Sequence, residues 1–227
     1  GPTFEKRHEI YPPTTTFKLK QKDGTEKTIP GFVGALGDRN GYSTDNFFAF
    51  THDLNGDGWN DVLTYGLPHT PAYLYVNPKG KAEHWKRHTV FGQVDNESPT
   101  FADITGDGKP EIICNFGGNF GYAEPDWKNP TTPCKFHAIS EKGNWQRYTH
   151  GLGIGDINGD GLGDIYVGAA PDQDDGGGVV IFGVDDSGIE IDFANLDGAD
   201  GFRVVAPVGE SLNLGSTNNV AAAGDFN

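Results

Sequence analysis

A nine-residue acidic loop occurs three times in this chain and opens a fourth time at its end. The copies read Asp53-Leu-Asn-Gly-Asp-Gly-Trp-Asn-Asp61, Asp103-Ile-Thr-Gly-Asp-Gly-Lys-Pro-Glu111 and Asp156-Ile-Asn-Gly-Asp-Gly-Leu-Gly-Asp164; Asp225-Phe226-Asn227 gives the first letters of another. Oxygen-bearing side chains stand at positions 1, 3, 5 and 9 of each complete copy. That spacing suits a hard cation, because calcium takes six to eight oxygens from carboxylates, amides and backbone carbonyls at flexible geometry. The expected ligands are Asp53, Asn55, Asp57, the carbonyl of Trp59, and Asp61. In the second copy they are Asp103, Thr105, Asp107, the carbonyl of Lys109, and Glu111. In the third they are Asp156, Asn158, Asp160, the carbonyl of Leu162, and Asp164, while Asp225 and Asn227 begin a partial site. Magnesium demands stricter octahedral geometry and zinc prefers His or Cys, so calcium is the expected ion, about three per chain. Thr105 and Glu111 replace the Asn and Asp of the other copies, which leads us to expect a weaker second site.

Two other origins for such loops fit less well. An EF-hand needs a bidentate Glu at position 12 and flanking helices, but position 12 is Thr64, Cys114 or Val167. The residues after each loop are short β-branched and aromatic runs, which read as strands. Metal-free Asx turns would also use Asp, Asn and Gly, but three copies with one oxygen spacing argue for a ligand. Gly56, Gly106 and Gly159 are expected to let the backbone turn sharply, and Gly58, Gly108 and Gly161 to take positive φ.

The loops sit in a larger repeat. Strands are expected before each loop (Phe47–His52, Thr100–Ala102, Gly151–Gly155), after it (from Asp61, Glu111 and Asp164), and again at Ala72–Val76, Phe120–Ala123 and Val179–Phe182. Lys86-Arg87-His88-Thr89-Val90, Lys135-Phe136-His137-Ala138-Ile139 and Lys6-Arg7-His8-Glu9-Ile10 resemble one another and read as outer strands. Loop starts at positions 53, 103, 156 and 225 lie 50 to 69 residues apart, the size of a four-stranded propeller blade. The expected fold is therefore all-β: a β-propeller of four-stranded antiparallel blades with calcium loops between the first and second strands. Its parts are an N-terminal strand and hairpin (1–42), blades at 43–93, 94–142 and 143–210, and the start of another at 211–227. A hairpin is expected around Asp23-Gly24.

These residues are similar to FG-GAP repeats, also grouped as VCBS-like repeats and found in the head of integrin α chains. The loops carry the resemblance. So do Val167-Gly168-Ala169-Ala170-Pro171, Val180-Ile181-Phe182-Gly183 and Leu196–Phe202. The stretch Phe101–Gly108 is similar to a bacterial secreted subtype. The resemblance covers roughly residues 43–227 and is weak over 11–42. It implies a calcium-stabilised propeller, usually of seven blades, secreted or at the cell surface. Three complete blades do not close such a ring, so either the natural chain is longer or copies associate through open blade edges.

Composition narrows the function. The formal charge is −15, and each complete loop concentrates three carboxylates. An acidic chain without a basic stripe argues against nucleic acid, and no run of 18 apolar residues suggests membrane insertion. The absence of Met, even at position 1, points to a processed chain or a fragment. Cys114 and Cys134 are read either as a disulfide of an oxidising compartment or as a small buried thiol and an incidental one. Asn96-Glu97-Ser98 matches the glycan-acceptor pattern but precedes Pro99 and reads as coincidence. His8, His88 and His137 recur in outer strands and read as structural; His52 reads as a strand-end side chain or a support for the first loop. Trp59, Trp85, Trp127, Trp145, Tyr73 and Tyr122 read as packing, with stacking on sugar rings as the other use. Asp172–Gly176 reads as a solvated turn. No Walker loop or GxSxG elbow is present, so catalysis is not expected. The favoured function is a calcium-binding extracellular module for adhesion, recognition or surface assembly, with a protein or glycan ligand. The alternatives are part of a propeller-based polysaccharide lyase or glycosidase, and a self-assembling subunit.

Overall fold

The computed structural model describes residue 10 and residues 15–31, 47–143, 151–168, 178–183 and 196–205. All but Ile10 of the outer strand expected at Lys6–Ile10, the partial site at Asp225 and Asn227, the turn at 172–176 and Trp145 lie outside the described residues. Every regular element among the described residues is a strand. No helix among them is long and apolar enough to cross a membrane.

A hairpin comes first. Strands β1 (Thr15–Lys20) and β2 (Glu26–Gly31) pair antiparallel, Lys20 opposite Glu26. Its turn closes as Asp23 and Gly24 dictate: Asp23 Oδ1 accepts the Thr25 N–H at 3.0 Å, and Gly24 takes φ +85°. The hairpin expected there is observed.

The chain separates into two compact units, Gly1–Gly92 with Asp126–Pro133, and Gln93–Pro125 with Cys134–Asn227. In the first unit β3 (Phe48–His52), β4 (Asp61–Tyr65) and β5 (Thr70–Val76) form an antiparallel meander that continues into β6 (Lys86–Ala102). Tyr65 is fully buried between the rings of Phe48 and Phe50, with centroids 5.7 and 5.5 Å away. Leu63, Ala72 and Leu74 complete this core. In the second unit the end of β6 pairs with β7 (Glu111–Phe116), followed by β8 (Asn119–Glu124) and β9 (Lys135–Ala138). A separate four-stranded meander follows, β10 (Leu152–Gly155), β11 (Asp164–Val167), β12 (Gly178–Ile181) and β13 (Gly201–Val204).

Each acidic loop joins two adjacent antiparallel strands, β3 to β4, β6 to β7 and β10 to β11; β3–β9 form one seven-stranded sheet rather than two separate four-stranded ones, and β10–β13 form a four-stranded sheet. One difference concerns β6. The outer strand expected at 86–90 and the inner strand expected at 100–102 are a single 17-residue strand. A bulge absorbs the change of role. Asp95 pairs with Asn115 and Thr100 with Ile113, so five steps along β6 match two along β7. Asn96, inside the bulge, takes φ +74° and is 2% exposed.

The second unit's core joins both of its runs. Ile104, Ile113, Phe120, Tyr122 and Ile139 pack with Ile165, Val167, Val179 and Ile181. At about 25 cal/mol per Å2 of apolar surface removed from water, this cluster is the main source of the unit's stability. Two glycines are forced by packing: a Cβ at Gly121 would strike the His137 carbonyl, and one at Gly201 the Val180 carbonyl.

Candidate metal centre

All three loops are built the same way. The first-position carboxylate accepts backbone N–H groups from across the turn. Asp53 takes those of Asp57 (2.9 Å) and Gly58 (2.7 Å); Asp103 takes Gly106 and Gly108, both at 2.8 Å; Asp156 takes Gly159 (2.7 Å) and Gly161 (3.1 Å). The fifth-position Asp caps the seventh N–H, from Trp59 (3.0 Å), Lys109 (2.9 Å) and Leu162 (2.7 Å). Asn55 and Asn158 each accept the fifth N–H at 3.0 Å. Closing so tight a turn puts both glycines in left-handed conformation, at φ +68° and +86° in the first copy, +74° and +81° in the second, and +79° and +88° in the third. Gly56, Gly106 and Gly159 therefore share the role expected of Gly58, Gly108 and Gly161.

Such bonds alone would also describe metal-free Asx turns. The ninth position adds what a turn does not need. Asp61 and Asp164 are fully buried and Glu111 is 2% exposed. The Ile104 N–H donates to Glu111 Oε2 at 3.1 Å, and the Ile157 N–H to Asp164 Oδ2 at 2.6 Å. Their counterpart Leu54 donates to the His52 carbonyl, and Asp61 Oδ2 is buried outside hydrogen-bond geometry. Burial pushes the Asp61 carboxyl above its usual range, with Asp57 and Asp53 adding to the shift. Burial likewise pushes Glu111 up to about 7, with Asp103 and Asp107 adding. Buried carboxylates crowded by others of the same sign are costly unless a cation pairs with them. The donor set, all oxygen with one orphaned buried acceptor, fits a hard divalent ion.

The copies differ in how the ninth carboxylate is held from the sheet. In the first, the Asn77 N–H, just past β5, donates to Asp61 Oδ1 at 2.9 Å. In the third, the Gly183 N–H donates to Asp164 Oδ1 at 2.8 Å. Each donor lies two residues beyond the strand partner of the residue following the acid: Tyr75 opposite Val62, and Ile181 opposite Ile165. In the second copy Ala123 is opposite Ile112, and the residue two beyond is Pro125. Proline has no N–H to give. Glu111 reaches inward instead, with Oε1 3.4 Å from the Thr105 hydroxyl. Carboxylate oxygens of Asp103, Asp107 and Glu111 all lie within 4.8 Å of one another. Among the described residues this is the group of three acids gathered to metal-binding range.

Several side chains near the loops were not foreseen. Gly183 and Pro125 bear on the sites through backbone alone, a role with no side-chain signature, while Asn77 adds a side-chain bond from Nδ2 to the Asn60 carbonyl of loop one at 2.9 Å. Lys79 Nζ lies 3.5 Å from Asp57 Oδ2. Lys109 Nζ is 2.8 Å from Asp107 Oδ2; this contact lowers the pKa of Asp107 and raises that of Lys109. His137 Nε2 meets Glu124 Oε2 at 2.7 Å, and its ring stacks on Tyr122 at 4.8 Å, a packing role. His52 packs edge-on against Trp127 at 5.3 Å. Arg87 covers Tyr73 at 4.6 Å.

The disulfide reading of Cys114 and Cys134 is corrected: both are free thiols. Cys114 pairs with Gly121 and Gly121 with Ala138, so the Cys134 segment runs two strands away. Two strand spacings are roughly 9–10 Å, beyond the reach of about 7 Å that a disulfide allows between Cα atoms. Burial pushes the Cys134 thiol up to about 12 and the Cys114 thiol higher still.

Residues 53–114 match the FG-GAP-like repeat family. The match begins on the first residue of loop one and ends three residues beyond loop two. It therefore spans β4, β5, β6 and the start of β7, one full period of the repeat. No curated protein matches the chain.

Proposed function

We propose that this chain is an extracellular calcium-binding β-propeller module used for adhesion, recognition or surface assembly, in which calcium is structural. The carrying observation is the ninth-position carboxylate: buried, beside acids of the same sign, and in the first loop with one oxygen, Asp61 Oδ2, outside hydrogen-bond geometry. Calcium would supply the missing positive charge. The chain's own part is to hold the first- and fifth-position carboxylates open with backbone N–H groups and to fix the ninth against the sheet. FG-GAP repeats often bind calcium, and the match to that family together with the all-antiparallel sheets supports the propeller reading. Half-exposed loops of this kind suit the extracellular space, where calcium modules work at dissociation constants of about 10⁻⁴–10⁻³ M. The bacterial, secreted character and a protein or glycan ligand rest on the resemblance of the loops to that subtype.

The test is a calorimetric calcium titration of chelator-stripped protein, with magnesium as the control, joined to melting curves with and without chelator. Binding of about three ions, selectivity over magnesium, and a calcium-dependent rise in melting temperature are expected, since a ligand that binds only the folded state stabilises it. A melting temperature indifferent to chelator would refute the structural role.

A further inference from the structure

In all three loops the fifth-position aspartate commits one oxygen in the same way. Its Oδ1 accepts the seventh N–H, from Trp59, Lys109 and Leu162. That leaves Oδ2 as the oxygen this residue would offer to an ion. What holds Oδ2 differs from loop to loop. In the third loop it is an uncharged amide: Asn158 Nδ2 donates to Asp160 Oδ2 at 2.8 Å. In the second it is an ammonium: Lys109 Nζ donates to Asp107 Oδ2 at 2.8 Å, so one lysine engages both oxygens of that carboxylate. In the first it is again an ammonium, with Lys79 Nζ 3.5 Å from Asp57 Oδ2.

The two lysines reach the same position from different parts of the chain. Lys109 belongs to its own loop, at position 7. Lys79 belongs to the turn that follows β5. That turn is fastened to loop one at its start. Asn77 donates its N–H to Asp61 Oδ1 and its Nδ2 to the Asn60 carbonyl, both at 2.9 Å, and its Oδ1 accepts the Gly80 N–H at 3.3 Å. Lys79 takes φ +58° and Gly80 φ +73°. A left-handed pair of this kind favours Asn-Gly, and a long side chain in the first place carries a steric cost. What a lysine gains there is the Asp57 side chain, which is only 17% exposed.

We propose that Lys79 and Lys109 are built-in competitors for calcium, each holding the Oδ2 that its loop would offer to the ion and so setting the affinity of that loop. This rests on the calcium reading of the loops. The ammonium supplies a counter-charge where carboxylates of one sign crowd together, and it has to give way when a divalent ion takes its place. A single ammonium meets one oxygen where calcium gathers several, so the lysines lower affinity without abolishing it. The third loop, with Leu162 at position 7, exchanges only an amide.

A calcium titration of chelator-stripped protein followed by nitrogen-edited NMR separates the loops. Gly58, Gly108 and Gly161 each donate an N–H to the first-position carboxylate of a different loop, so their amide signals report the three sites one by one. Lys79→Asn removes the ammonium and suits the left-handed backbone; Lys109→Leu installs the residue that loop three has at that position. Each is expected to tighten binding at its own loop alone, by roughly three- to fivefold, the upper range for an ion pair near the surface. Lys81→Leu, which removes a neighbouring lysine of the same turn, is expected to change none of the three. Unchanged affinity in either variant, tightening shared equally by all loops, or the same tightening from Lys81→Leu overturns the proposal, and calcium binding by the wild type would still leave the proposed function standing. A wild type in which none of the three amides responds to calcium overturns both.

Discussion

Pro125 stands beside Glu111 at the backbone position from which Asn77 and Gly183 each donate an N–H to the buried acid of their own loops. Lacking that tether, the second loop uses a longer side chain. Glutamate reaches toward Asp103 and Asp107 where the aspartates of the other loops are held back against the sheet. The substitutions that mark this loop as irregular in sequence are thus matched by a third, a strand away, that makes sense of them.

Glu111 should dominate calcium binding at the second loop. Glu111→Gln keeps the shape and the Ile104 hydrogen bond but removes the charge. Calorimetry is expected to show one site weakened by roughly tenfold or more, the scale at which altered metal-site residues act, with the other two unchanged. Uniform weakening of all sites would show that the loops do not bind independently.

Metal-free protein should lose stability as pH rises through the range in which Glu111 titrates. The folded state holds this proton up to about pH 7, whereas the unfolded chain releases it near the ordinary glutamate value of 4.5. Between those values the folded state binds more protons, so stability falls with increasing pH. Urea midpoints of chelator-treated protein measured from pH 4.5 to 7 are expected to decline. Glu111→Gln should flatten the decline, and saturating calcium should remove it.

Two glycines of identical loop position separate backbone strain from packing. Gly159→Ala places alanine at φ +79° in open space, and a left-handed alanine costs about 1–2 kcal/mol. Gly106→Ala meets the same strain at φ +74° and must also displace Leu162. Overpacking adds about 1–3 kcal/mol. Denaturant unfolding should rank Gly106→Ala as the more damaging; equal losses would mean that Leu162 moves aside freely.

Both thiols should be countable. Mass spectrometry after alkylation in denaturant is expected to find two modified cysteines without prior reduction. In native protein Cys114, fully buried on β7, should stay unlabelled. A mass two units lower, unchanged by alkylation, would mean that the segment carrying Cys134 had moved to bring the sulfurs together.

What the sequence shows and what it hides divide along physical lines. The loops are legible because ligands must recur at fixed spacing, and the glycines because their φ values admit little else. Strand positions follow from runs such as Asp61–Tyr65, which is observed as expected. The continuity of β6 is hidden, because a polar stretch such as Gln93–Ser98 reads as a connection until its pairing is known. The help given by Asn77 and Gly183 is hidden more deeply, because a backbone N–H belongs to nearly every residue and only register says which one is aimed at the site.

The buried bulge residue sets a condition on how the protein can be made. Asn96 heads an acceptor triplet, yet its side chain is enclosed where β6 meets β7. A secretory pathway that attaches sugars to nascent chains would meet this asparagine before the strands pair. A chain glycosylated there could no longer close the bulge, so yield in such a host would depend on a race between the transferase and folding. Asn96→Gln would remove that race, and a bacterial host without the transferase would never start it.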